Sequence, residues 1–363
     1  MHDVKRLTRG GAMGVRVTLR SVAEAAGVST AAVSYAFNRP DRLSSEMRSR
    51  ILGVARELGY SGPDAAARTL RTGRANAIGV IFTTGLTYAF SDPYVLALLG
   101  GLAETLARSR TSLVLIPFAP VVAGLSDAEV RDSLDAVHRA VIDGAVADGL
   151  TDDHPAVRAL SERAIPLVRS SETAVGRCVL IDDREAGREI GRHLAGLGHR
   201  EVAVVVASPG EQGCAVTPAD EEALYPYSRH RLAGIREGLP AGVRVRVVSA
   251  GNNADAPGRI AATAILKALD RPTAIAADSD VLAAAVVEVA LAQGLRVGHD
   301  LSVTGFDDVP LAASIGLTTV RQPIHEKGRL MARMLLDPDN LPNRLTLPTE
   351  LVVRSSTGPV PMH

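Results

Sequence analysis

The sequence predicts an α/β protein, a core of two parallel-sheet lobes preceded by a small all-α head. Three observations lead there. From Asn76 onward, short and nearly continuous apolar runs alternate with longer runs of helical period, the pattern of parallel strands covered by helices on both faces. Before residue 62 the chain instead shows three short amphipathic segments with helix-start and helix-stop signals. The charge is divided the same way: residues 1–74 carry 13 Lys+Arg against 6 Asp+Glu (+7), leaving 27 against 34 (−7) in a chain that is neutral overall.

A chain of 363 residues accommodates two or three domains and a large core. No apolar run reaches the ~18–20 residues needed to span a bilayer. The N-terminal MHDVKRLTRGGAMGVRV lacks the ~7–15-residue apolar segment of a secretory signal. Cys178 and Cys214 stand in unrelated contexts without metal-type spacing, as incidental thiols of a reducing compartment do. A cytoplasmic protein with no membrane contact, metal or cofactor is therefore expected.

Residues 1–16 read as an arm, within which Met13 is an alternative start. Thr18 is placed to cap a helix over LRSVAEAAG, with Val22, Ala25 and Ala26 on one face and Gly27 as the stop. Ser29 caps a second helix, Thr30 to about Phe37, which Asn38-Arg39-Pro40-Asp41 ends. Ser44 or Ser45 starts a third, with Met47, Ile51, Val54, Ala55 and Leu58 on one stripe before Gly59. Two short helices around a Gly-containing turn, supported by a third, form a helix-turn-helix pattern over 17–61. The second helix, in VSTAAVSYAFNRP, sets small side chains and Tyr35 opposite its apolar side. Such a unit either mediates protein contacts or enters a DNA groove, and the basic N-terminal fifth favours a polyanion. Next, Gly62-Pro63 and Gly73 bracket about nine residues of high helix propensity, too few for a stable isolated helix; 62–75 is a linker that is helical only when held.

In the core, AIGVIF, SLVLIP, GAVAD, IPLV, CVLID, EVAVVVA, VRVRVV, TAIAAD and LSVTGFDD read as strands. PYVLALLGGLAETLARS, DREAGREIGRHLAGLG, SRHRLAGIREGL, GRIAATAILKALD and DVLAAAVVEVALAQG read as the helices between them. The lobes are expected to comprise 76–180 plus about 323–338, and 181–322 plus about 339–357. Ligands of such folds bind outside the carboxyl ends of the strands, and a cleft between lobes is the natural place.

TLRSVAEAAGVSTAAVSYAFNRPDRLSSEMRSRILGVARELGY resembles the DNA-binding head of the lactose-repressor/galactose-repressor (LacI/GalR) transcription regulators. RHLAGLGHREVAVV, RHRLAGIREGL, SDVLAAAVVEVA, LSVTGFDDVPLA and LTTVRQPIHEKGRLMARMLL resemble, in order, that family's ligand-binding core. The likeness spans about residues 17–356. It implies a core similar to periplasmic sugar-binding proteins and a head that binds operator DNA as a homodimer.

The resemblance makes Thr30, Ala31 and Tyr35 the base-contacting positions. A second helix lies deep in the major groove only where its facing side chains are small. Better-known members tend to carry Arg at the Tyr35 position; Arg suits guanine, whereas Tyr brings one hydroxyl and an apolar ring. Arg20, Ser29, Ser34 and Asn38 are candidates for phosphate contact. AAARTL resembles the hinge helix that pairs in the minor groove, with Leu70 as the wedging leucine and Ala67 and Arg68 as its neighbours; a plain linker is the alternative.

Arg231, Asp280 and Asp307 match the family's ligand-binding pattern, in which carboxylates accept and guanidinium donates hydrogen bonds to neighbouring sugar hydroxyls. Each alone reads first as a cap or surface charge, and only the match to the family pattern makes it a ligand contact. Tyr88, Phe90 and Asp92 follow the first core strand, and Asp152 or Asp153 follows GAVAD; these are further candidates. Ser279 stands where the family usually has Asn. The expected ligand is a small-molecule effector, a carbohydrate or similar, and the expected role is repression, with a ligand-independent regulator or a plain sugar-binding protein as alternatives. No catalytic residues are expected. His193 and His199 lack the i, i+4 spacing of a zinc helix, and no nucleophile elbow, Walker loop or dinucleotide fingerprint is present.

Overall fold

The computed structural model describes residues 17–62, 69, 72–82, 86–118, 127–208 and 211–360. The chain divides after Ala75 into two compact units.

The first unit is a three-helix head: α1 (Leu19–Ala26), α2 (Thr30–Asn38) and α3 (Ser45–Glu57). Each start is capped by a hydroxyl. Thr18, Ser29 and Ser44 accept hydrogen bonds from the backbone N–H of Ser21, Ala32 and Met47, satisfying donors that a first helical turn leaves open. Gly27 adopts φ 61°, the left-handed cap that lets α2 follow α1 after a tight turn. Val22, Ala23, Ala26, Val33, Ala36, Ile51 and Ala55 form the buried centre. Ala23 is buried and Ala25 is not, which turns the packed face of α1 slightly from the expected stripe.

The second unit holds two six-stranded sheets. One contains β1 (Ala77–Phe82), β2 (Ser112–Pro117), β3 (Gly144–Ala147), β4 (Leu167–Arg169), β5 (Arg177–Ile181) and β11 (Arg344–Leu347), in the order β2-β1-β3-β4-β5-β11, all parallel. The other contains β6 (Glu201–Ala207), β7 (Arg244–Gly251), β8 (Ala274–Ala277), β9 (Ser302–Asp307), β10 (Thr318–Arg321) and β12 (Glu350–Val352), in the order β7-β6-β8-β9-β10-β12. Only β12 is antiparallel to its neighbour. All residues of β1 and of β8 are buried, which is why these strands read as unbroken apolar runs rather than alternating ones.

The lobe boundary differs from expectation at the C-terminal return. The sequence places residues from about 339 onward in the second lobe, but Arg344–Leu347 lies beside β5 in the first sheet. The crossing falls between Leu347 and Glu350. β10, β11 and β12 are short pieces of three or four residues, too short for a period to be read. The helix Ile324–Leu336 packs on the first lobe against Pro93–Arg108, so closely that a Cβ at Gly101 would overlap the His325 carbonyl oxygen. The same close approach joins Asp183–Gly196 to Pro226–Gly238 in the second lobe through Gly187, Gly191, Gly234 and Gly238.

Candidate functional site

On the head, α2 exposes Thr30, Ala31 and Tyr35 on the side away from Val33 and Ala36, and Tyr35 is 44% exposed. The Ser29 hydroxyl oxygen accepts from the Ala32 N–H at 3.1 Å. Asn38 donates from Nδ2 to the Ser34 carbonyl at 3.0 Å, tying off the other end of the helix. Arg20 is exposed and pairs with Glu24 at 3.1 Å, a contact worth little in water. Ser34 is half-buried. The result is a short, capped helix whose N-terminal face is small and polar and ends in one protruding ring. Ala67, Arg68 and Leu70 lie outside the described residues.

In the second unit a cavity of about 1000 Å³ lies where the carboxyl ends of strands from the two lobes converge, β1 and β3 from one, β6, β8 and β9 from the other. In each sheet the strand order reverses around the first strand of the lobe, β1 or β6, the place where a crevice opens in doubly wound sheets. Tyr88, Asp92, Arg231 and Asp307 line this cavity.

Asp92 caps the helix Pro93–Arg108, accepting from the N–H of Tyr94 and Val95 at 2.8 and 3.3 Å. Its other oxygen accepts from the Tyr88 hydroxyl and, at 2.8 Å, from Asn253 Nδ2. Asn253 follows β7 in the other lobe and accepts from the Ser279 hydroxyl, so this chain of bonds crosses the cleft. Burial raises the Asp92 carboxyl above the usual range, and burial together with the adjacent Asp92 raises the Tyr88 phenol.

Arg231 is buried in the cavity wall. It donates to Asp183 Oδ1 at 2.8 Å and to the Asp278 carbonyl at 2.6 Å, and its guanidinium lies 3.5 Å from the Phe306 ring centre. Burial opposes its charge, but Asp183, Asp278 and Asp307 outweigh that and hold it protonated. Asp307 ends β9 with φ 112°, followed by Asp308 at φ 54°, conformations that non-glycine residues rarely adopt. Asp308 is clamped by Arg321 at 2.7 Å and Arg354 at 2.6 Å, which holds the turn that carries Asp307. Asp307 accepts from Gln322 Nε2 at 2.6 Å, and Gln322 in turn accepts from Lys327 Nζ at 2.9 Å. Burial drives the Asp307 carboxyl well above, and the Lys327 amine below, their ordinary ranges.

Three expected ligand contacts lie elsewhere. Asp280 is fully buried and outside the lining; it accepts from the Val309 N–H at 2.8 Å and the Thr319 hydroxyl at 2.6 Å. It is an anchor between its helix and β10, because the helix start turns it into the sheet. Phe90 is 61% exposed and outside the lining, carried outward by the turn that follows Leu86–Ala89. Asp152 is held on the surface by Arg169 and by the Ala174 N–H at 3.1 Å; the adjacent Asp153 lines the cavity instead.

The lining also includes Tyr94, Asp148, Asp183, Asn253, Asp278 and Lys327, none of them singled out as a contact by the sequence. A signal for the acids was present: Asp148, Asp183, Asp278 and Asp307 each stand at the end of a parallel strand or just beyond it. Nothing in the local sequence marks Asn253 or Lys327. His193 and His199 serve packing. His199 is fully buried and bonded to Thr273, Ser302 and the Gly358 carbonyl, and His193 bonds Thr357. Among the described residues no group of three His, Cys, Asp or Glu is placed to hold a metal, and no helix is long and apolar enough to cross a membrane.

Residues 18–62 match the family model of bacterial regulatory proteins of the lacI family, and 192–357 match a periplasmic binding protein-like domain. The chain is 37% identical to the HTH-type transcriptional regulator Rv3575c of Mycobacterium tuberculosis over 95% of its own length and 98% of that protein. A LacI family transcriptional regulator from Corynebacterium glutamicum superposes with TM-score 0.68 at 29% identity, covering 94% of this chain and 98% of the other. The complex of the transcriptional regulator CelR with cellobiose gives 0.65 at 27%, covering 94% and 100%. A capped helix-turn-helix head, a two-lobed core with a polar cleft and these alignments lead to one conclusion: the chain belongs to the lacI family of bacterial regulatory proteins and is a DNA-binding transcriptional regulator.

Proposed function

We propose that the protein is a cytoplasmic, homodimeric repressor whose operator affinity is set by a sugar-like effector bound between the two lobes, and that it has no catalytic role. The observation that carries this is the cleft: about 1000 Å³, at the carboxyl ends of both sheets, with hydrogen-bonding side chains contributed by both lobes. The solved CelR relative holds cellobiose, which supports a saccharide here.

In this reading Thr30, Ala31 and Tyr35 meet base edges, while Arg20, Ser29, Ser34 and Asn38 meet phosphates. Ala67, Arg68 and Leu70 form a hinge segment that orders on DNA, with Leu70 wedged in the minor groove. Arg231 and Asp307 grip the effector from the second lobe, and Tyr88 and Asp92 close the first lobe over it. An entering ligand competes for the bonds that Asn253 makes across the cleft, so occupancy changes how the lobes are held. Coupling of this kind is typically worth ~1–3 kcal/mol.

The test is fluorescence anisotropy of the full chain on an operator identified by genome-wide footprinting, with and without glucose, maltose and cellobiose. Affinity should fall steeply between ~50 and ~200 mM salt, and a bound sugar should shift it about 5–150-fold. Salt-independent binding refutes the DNA contacts; operator affinity indifferent to every sugar refutes the effector reading and leaves a ligand-independent regulator.

A further inference from the structure

The charged side chains that meet in the depth of the cleft are unequal in number. Among the described residues of the lining, Asp148, Asp183, Asp278 and Asp307, with Asp92 beside them, share the cavity with two buried cations, Arg231 and Lys327. Both cations are already engaged: Arg231 by Asp183 and by the Asp278 carbonyl, Lys327 by Gln322 at 2.9 Å and the Tyr94 hydroxyl at 3.3 Å.

Several of the carboxylates, in contrast, are only half used. Asp148 Oδ1 accepts from the Tyr94 hydroxyl at 3.1 Å and from Ser170, Asp183 Oδ1 from Arg231, and Asp307 Oδ1 from Gln322. Among the described residues, the second oxygen of each has no donor. The arginines at the mouth do not reverse the balance. Arg184 is bound to Glu237 and Arg344 to Glu172. Arg158 and Arg229 donate to the backbone carbonyls of Asp153 and Glu222, acidic residues that line the same cavity.

We infer that the cleft selects an uncharged, polyhydroxylated ligand whose hydroxyls donate to Asp148, Asp183 and Asp307, and that it rejects the phosphorylated form of the same ligand. The inference rests on the effector reading of the cleft. The hydrogen-bond inventory decides it: surplus carboxylate oxygens need donors, a sugar hydroxyl supplies one, and a phosphate dianion supplies acceptors only. The electrostatics point the same way, because like charges brought together away from water act against the wrong ligand.

The experiment is titration calorimetry of the full chain with matched pairs: glucose and glucose 6-phosphate, maltose and maltose 6-phosphate, cellobiose and cellobiose 6-phosphate. A neutral member should bind at least about 100-fold more tightly than its phosphate, which is about 2.8 kcal/mol. Asp148→Asn, whose amide oxygen can keep the Tyr94 and Ser170 bonds, should narrow that ratio to about 10-fold, one decade being about 1.4 kcal/mol. A phosphate that binds as tightly as its parent overturns the inference, as does an unchanged ratio in Asp148→Asn. Silence of both arms, with operator binding intact, overturns the effector reading itself and this inference with it; binding in the phosphate arm alone overturns only the charge selection.

Discussion

Asp280 offers the sharpest test of tertiary context against local motif, since its motif marks it as a ligand contact and its surroundings make it an anchor. Its two oxygens serve two buried donors, the Val309 N–H at 2.8 Å and the Thr319 hydroxyl at 2.6 Å. Asp280→Ala orphans both, at about 1–3 kcal/mol for each unsatisfied group. Because the threonine hydroxyl can rotate to another partner, a total of about 2–5 kcal/mol is expected. Asp280→Asn behaves differently: its carbonyl oxygen still accepts from Val309, and its amide donates to the Thr319 oxygen.

Burial raises the Asp280 carboxyl in the folded state to about 7 from the 3.8 of a free side chain. Between those values the folded protein holds a proton that the unfolded chain has released. The stability this contributes is fully present below about pH 4 and is lost as pH rises through about 7. The gap between 3.8 and about 7, at about 1.4 kcal/mol per pH unit, makes the loss on the order of 4 kcal/mol. Asp280→Asn should lack this decline, so its stability relative to wild type improves from about pH 4 to about pH 8. Urea unfolding at both pH values measures it. An Asn variant that keeps the wild-type pH profile would refute the buried anchor. So would one that loses sugar binding by about tenfold or more, about 1.4 kcal/mol, with an unchanged unfolding curve.

Two further outcomes are expected. Tyr35→Ala should leave unfolding within about 0.5 kcal/mol of wild type, since the ring is largely exposed, yet weaken operator binding by about 1–3 kcal/mol and relax preference at one base pair; unchanged anisotropy on operator and on single-base variants would remove Tyr35 from the interface. Gly234→Ala would drive a Cβ into the Arg184 carbonyl oxygen, forcing apart Asp183–Gly196 and Pro226–Gly238 at about 1–3 kcal/mol and drawing Arg231 from Asp183. Gly196→Ala, with nothing within 4 Å, serves as the control and should show no loss in a thermal melt.

Much of the molecule follows from local chemistry. The head is legible because its signals are short-range: hydroxyl caps at Thr18, Ser29 and Ser44, a left-handed Gly27, and an apolar stripe on each helix. The core strands are legible because both faces of each sheet are covered, which forces unbroken apolar runs. Arg231 and Asp307 stand out as charges in motifs, and the fold brings both to one cleft.

Other features depend on distance across the fold and leave no local trace. β11 belongs to the first sheet because it pairs with β5, a strand far upstream in the chain. Asn253 and Lys327 reach the cleft only because two lobes and a returning helix meet there. In TAIAADSD the sequence by itself determines a strand that runs into a helix. Only the tertiary structure decides which acid faces the cavity: the chain at Ser279 leaves Asp278 on the cavity wall and sends Asp280 into the sheet, where Val309 and Thr319 claim both its oxygens.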